Sequence, residues 1–152
     1  MSQSRPALFT IGVFQDVAWA EKGLAAFRAH GFTPEDVSLM AVDAPEVAAM
    51  VERAFGQSGA VRDSRAMGAL RVRGPVVEVL DGVDEGLATR GLAALAGRLG
   101  FQAHDGHIFE ALVTRGGVLV AVTGDARAAD ALALLHAYGG GNAAIGAWGG
   151  RV

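Results

Sequence analysis

The spacing of apolar and polar positions divides the chain into strands and helices. "ALFTIGVF" at 7–14 is an apolar run with β-branched residues, the pattern of a strand buried on both faces. Asp16 follows where a helix cap is needed, its carboxylate placed to accept the first free amides of a helix over 17–30. Ala20, Leu24 and Phe27 recur there at helical spacing, and Gly31 stands where a left-handed residue ends a helix. "TPED" turns the chain, and "VSLMAV" at 37–42 predicts a second strand. A helix over 43–56 follows, with Asp43 as N-cap and Pro45 in its first turn. "QSGAVRDSRAMG" at 57–68 loses periodicity and reads as a loop. Residues 69–80 alternate, with Leu70, Val72, Val77 and Val79 apolar; Gly74-Pro75 makes this either a short hairpin or one edge strand with a bulge. Helical spacing returns at 83–101, on Leu87, Leu92, Leu95 and Leu99, and again at 103–117. "VLVAVT" at 118–123 is a strongly β-forming core strand. A helix from Asp125 to Gly139 and a final strand at 141–148, weakened by small residues, complete the pattern.

Two of these segments share one organisation. In each, a strand leads to a capping aspartate (Asp16, Asp125), a helix ends at glycine (Gly31, Gly139), and a second strand follows. Phe27 and Leu135 stand four positions before their terminal glycines. The match predicts a duplicated βαβ unit and an α+β fold, an α/β sandwich of ferredoxin-like type with inserted helices in the middle. The expected organisation is one domain over 1–152: a first βαβ unit at 7–42, a helical insertion with a short strand or hairpin at 43–116, and a second βαβ unit at 117–148. No strand leads into a G-x-G-x-x-G turn, which argues against a doubly wound dinucleotide-binding sheet.

Composition narrows the function classes. A chain of 152 residues can bury one real core. Much of its 51% hydrophobic content is alanine, so the core must rest on fewer large side chains, among them Phe9, Ile11, Phe14, Leu24, Phe27, Val37, Leu39, Val77, Val79, Leu92, Leu95, Phe109, Leu112, Val118, Val120, Leu132 and Leu135. The formal charge is −3, and no lysine or arginine excess marks a nucleic-acid footprint. With no cysteine, a disulfide framework, a thiolate nucleophile and a cysteine-ligated cluster are excluded. No secretory h-region and no apolar run long enough to cross a bilayer are evident, so a soluble cytoplasmic protein is expected.

Candidate chemistry is sparse. His104 and His107 in "HDGHIFE" lie three apart on a helix, where both could approach one metal ion, with Glu110 three residues further. The rival reading is a solvated or capping helix face. Arg62, Arg65, Arg71 and Arg73 form the only basic cluster and could bind a ligand or anion through bidentate guanidinium contacts. His30 and His136 sit near helix ends, where the helix dipole favours them. The glycines of 139–152 precede no helix and so form no phosphate cradle. No serine stands in a nucleophile elbow.

The segment "IGVFQDVAWAEKGLAAFRAHGFTPEDVSLM" resembles the opening of the general stress protein family built on the heat-induced YflT-type domain, on Val13, Phe14, Asp16, Ala20, Ala26, Gly31, Phe32, Asp36, Val37 and Ser38. "FEALVTRGGVLVAVTGDARAADALALLHAYGG" is similar to the second half of that family, so the resemblance covers roughly 8–42 and 105–140. It implies a stress-associated, non-enzymatic protein and supplies no catalytic residue. Family members often carry a glycine-rich, membrane-like middle. Here that middle holds Asp84, Glu85, Arg90 and Arg98, so membrane association is not expected. The function expected is a non-catalytic interaction or regulatory module, without a cofactor, that forms a homo-oligomer and binds a protein partner. The alternative is a small-ligand or metal/haem-binding regulator of ferredoxin-like fold.

Overall fold

The computed structural model describes residues 9–124, 127–138 and 144–146. Strand β1 (Phe9–Phe14) leads into helix α1 (Val17–Ala29), and a single 3-10 turn, Pro34–Asp36, delivers the chain to β2 (Val37–Val42). Helix α2 (Pro45–Phe55) and the hairpin β3 (Ala60–Ser64) and β4 (Gly68–Arg73) follow. Short helices α3 (Pro75–Asp81), α4 (Gly86–Thr89) and α5 (Leu92–Leu95) precede the longer α6 (Ala103–Thr114). The chain then returns through β5 (Val118–Thr123), α7 (Ala128–Ala137) and the three-residue β6 (Ala144–Gly146). The fold is α+β: an antiparallel sheet in the order β3-β4-β2-β5-β1-β6, five strands and a short edge segment.

Strand periodicity explains why helices cover both faces. Phe9, Ile11 and Val13, with Met40, Leu70, Val72, Leu119 and Ala121, point to one side and pack against α3 to α6. Val37, Leu39, Val118, Val120 and Val122 point to the other, against α1, α2 and α7. Each such side chain contributes about 1.5–3 kcal/mol when fully buried, so neither face is stable in water. The large side chains expected in the core are buried, except Val79, Leu112 and Leu132, which are half-buried.

Helix α1 has both of its expected ends. The Trp19 N–H donates to Asp16 Oδ1 at 2.9 Å. At the other end Gly31 has φ +85°, and the Phe32 N–H reaches back to the Phe27 carbonyl at 3.0 Å. This is a Schellman closure, and its customary apolar contact is the Phe27–Phe32 pair, edge to face at 5.2 Å. The expected cap Asp125 and terminal Gly139 of the second unit lie outside the described residues.

The middle of the chain departs from the pattern-based expectation. Val77 and Val79 belong to helix α3, not to a strand, and the hairpin partner comes from 57–68, expected to be a loop. Gly74-Pro75 is the corner between strand and helix. Pro75 occupies the first helical position, and the Val76 N–H donates to Ser38 Oγ of β2 at 3.0 Å. Gly74 has φ +97°, and a Cβ there would lie 2.5 Å from that same hydroxyl oxygen. Asp43 does not cap α2. Pro45 holds Ala44 extended as the cap residue, and Asp43 accepts from Arg71 Nε at 2.9 Å. The helix expected over 83–101 is broken at Arg90 and Gly91, both extended, although Leu87, Leu92, Leu95 and Leu99 are all buried as their spacing predicts.

Candidate functional site

"HDGHIFE" forms the first two turns of α6. His104 and His107 both face outward; the His104 side chain is 69% exposed, with Nε2 3.4 Å from Asp105 Oδ1. Glu110 turns away from them. Its Oε1 accepts the Ala93 N–H at 2.8 Å and so caps α5 from outside. Gly106 is buried because α5 crosses there: a Cβ would lie 2.6 Å from the Leu92 carbonyl oxygen. Phe109 packs edge to face on Phe101 at 5.2 Å. Among the described residues no three His, Asp or Glu side chains converge as a metal would require. His30 caps α1, its Nδ1 2.8 Å from the Ala26 carbonyl oxygen, and His136 is exposed near the end of α7.

The four arginines of the basic cluster are not brought together. Arg62 stands opposite Leu70 in the hairpin and pairs with Asp81 at 3.2 Å. Arg71 and Arg73, alternate residues of β4, project to the opposite face. Arg71 holds Asp43 and donates to the Ser58 carbonyl at 3.0 Å. Arg73 donates to the carbonyls of Pro34 and Val37. Arg65 is exposed in the hairpin turn.

Arg73 instead joins two arginines absent from the sequence candidates. At the end of α1, Leu24, Phe27, Phe32, Pro34, Val37 and Phe55 line a cavity of about 30 Å³. Arg28, whose Nη2 donates to the Ala54 carbonyl, closes one side. The Arg73 guanidinium lies 4.0 Å over the Phe55 ring, and Arg127 lies 3.9 Å over Phe32. Burial lowers the Arg73 pKa and nearby Glu35 opposes that shift; an arginine remains a cation regardless. Arg127 also reaches Asp130 at 3.5 Å, whereas Arg28 and Arg73 have no carboxylate partner within ion-pair distance among the described residues. A second cleft of about 130 Å³ shares Leu24, Arg28 and Ala54 and runs between α1 and α2 to Glu21 and Arg53. Those two residues form a two-bond pair at 2.8 and 3.0 Å, which lowers the Glu21 pKa below its ordinary value. The Phe27–Phe32 closure was the local signal for this site; Arg73 and Arg127 arrive from distant strands and helices.

The opposite helical layer carries a second unusual feature. Residues 82–85 form an exposed turn between α3 and α4, with Val83 fully exposed at its tip. Asp84 accepts from Arg90 and Arg98, and Arg98 also donates to the carbonyls of Leu80 and Asp81 at 2.7 and 3.1 Å. Glu85 has φ +52°, a left-handed conformation uncommon for a non-glycine residue.

Comparison with family models, with curated protein sequences and with solved structures returned no match.

Proposed function

We propose that this chain is a non-catalytic interaction module that associates with copies of itself and with protein partners. The observation that carries the reading is the edge of the sheet at β3. Both sheet faces are covered by helices, yet among the described residues β3 pairs only with β4, and four of its five residues are exposed. An open edge offers backbone donors and acceptors to another chain, while Arg62 and Asp63 oppose indiscriminate pairing. The site chemistry points the same way: Arg62, Arg71 and Arg73 are spent on carboxylates and carbonyls of the fold itself. A ferredoxin-like duplication is part of this reading. It is supported by the order β6-β1-β5-β2, in which each repeat unit inserts one strand between the two of the other. The stress-associated role rests on the resemblance of 8–42 and 105–140 to the heat-induced family. Light scattering of the purified chain tests the proposal: a defined oligomer is expected, and a monomer at every concentration that also captures no cellular protein overturns it.

A second reading, a small carboxylate-bearing ligand, is favoured by the Arg28 guanidinium, which makes no ion pair among the described residues and lines the apolar cavity at the end of α1. Thermal unfolding with short-chain carboxylic acids would show a concentration-dependent rise if it holds. No shift up to millimolar ligand removes it.

A further inference from the structure

Val83 is a fully exposed apolar side chain on the turn between α3 and α4. Asp84, beside it, is held by Arg90 and Arg98, and Arg98 also ties down the carbonyls of Leu80 and Asp81. A protruding apolar residue on a turn tethered by such bonds loses less conformational freedom on docking, so it is suited to contact. The cavity at the end of α1, about 30 Å³, is small and lined mostly by apolar side chains, which suits a short apolar side chain such as valine. Its edge carries Arg28, which makes no ion pair among the described residues, and the turn presents Glu85, which also makes none there. Knob and pocket therefore match in size and in charge.

We infer that Val83 of one copy docks into the pocket at the end of α1 of a second copy, with Glu85 facing Arg28. The knob lies in the layer of α3 to α6 and the pocket in the layer of α1, α2 and α7. The contact is therefore head to tail: one copy keeps its pocket free and the other its knob, and assembly closes into a ring or extends. The inference rests on self-association and names its surface, which is distinct from the β3 edge.

Complementation of two variants tests it. Val83→Asp removes the knob and leaves the pocket; Ala54→Leu fills the pocket and leaves the knob. Arg28→Glu serves as a second pocket variant, and circular dichroism checks that each folds. By light scattering, the wild-type chain is expected to associate and each variant to run as a monomer. An equimolar mixture of Val83→Asp with Ala54→Leu is expected to form a two-chain complex and grow no further. Wild-type assembly that survives Val83→Asp overturns the inference and leaves self-association standing. Variants that dissociate but do not complement overturn it as well, and assign the pocket to another segment. A wild-type monomer overturns the inference together with the self-association beneath it.

Discussion

Arg98 grips Asp84 with both terminal nitrogens, Nη1 to Oδ1 at 3.0 Å and Nη2 to Oδ2 at 2.8 Å, across fourteen residues of chain. The hydrogen bonds from Arg98 and then Arg90 hold the Asp84 carboxyl well below its usual 3.8. A carboxylate whose folded pKa is depressed contributes stability above its unfolded value and loses it as pH falls through the folded one. Asp84→Asn is therefore expected to lower the melting temperature at pH 7. The gap from wild type should begin to close below about pH 4, the ordinary carboxylate range, and vanish only in strong acid. Thermal melts of both proteins between pH 7 and pH 2 measure this. A gap that closes already between pH 7 and 5 would show that the clamp is not what Asp84 contributes.

Gly106 sets two effects against each other. Alanine in a helix interior gains up to about 1 kcal/mol over glycine. Here the added methyl would sit 2.6 Å from the Leu92 carbonyl oxygen and 2.8 Å from Ala96 Cβ, so α5 must move. Overpacking of that kind costs about 1–3 kcal/mol and wins. Gly106→Ala is expected to lower the midpoint of urea unfolding. An unchanged or higher midpoint would mean that α5 yields freely.

Ser38 shows why the middle of the chain was hard to read. Its buried hydroxyl accepts the Val76 N–H at the start of α3, a partner 38 residues away. Ser38→Ala leaves that donor without its bond, at a cost of about 1–3 kcal/mol. The loss should be absent in Ser38→Thr only if the extra methyl fits beside Gly74. Equilibrium unfolding of both variants decides it.

The legible parts of the fold are those whose cause is local. Asp16 and Trp19 are three residues apart, and the Phe27, Gly31, Phe32 closure spans one turn, so both ends of α1 follow from sequence. β1, β2 and β5 follow from apolar runs buried on both faces. What resisted reading has distant causes. Asp43 is drawn off its capping role by Arg71, 28 residues on, and Gly91 fits because Glu110 reaches back 17 residues to Ala93. The alternation of Val77 and Val79 is compatible with a short helix once Gly74-Pro75 turns the corner. The four arginines are dispersed for a similar reason: in the hairpin Arg62 lies on the Leu70 side of the sheet, and Arg71 and Arg73 alternate to the other.

Arg73 brings hydrogen bonding and stacking together in one side chain. It donates to the carbonyls of Pro34 and Val37 while its plane lies over Phe55. Arg73→Lys keeps a charge but not the planar fork, so it should recover little of what Arg73→Ala loses. Leaving two carbonyls without their donor is expected to cost about 1–3 kcal/mol, read from urea unfolding. Equal stability of the lysine variant and wild type would reduce the contact to charge alone.

His104 and His107 lead to the opposite expectation. Both side chains are exposed, and the packing of α6 runs through Gly106, Phe109 and Val113 instead. Replacing both histidines by alanine removes little buried area and leaves Glu110 on the Ala93 N–H, so stability should change by no more than about 0.5 kcal/mol. Unfolding midpoints of wild type and the double variant, each with and without added zinc, give the test. Zinc is expected to shift neither protein. A zinc-dependent rise in the wild type that the double variant loses would establish a metal site at "HDGHIFE", with its third ligand supplied from elsewhere.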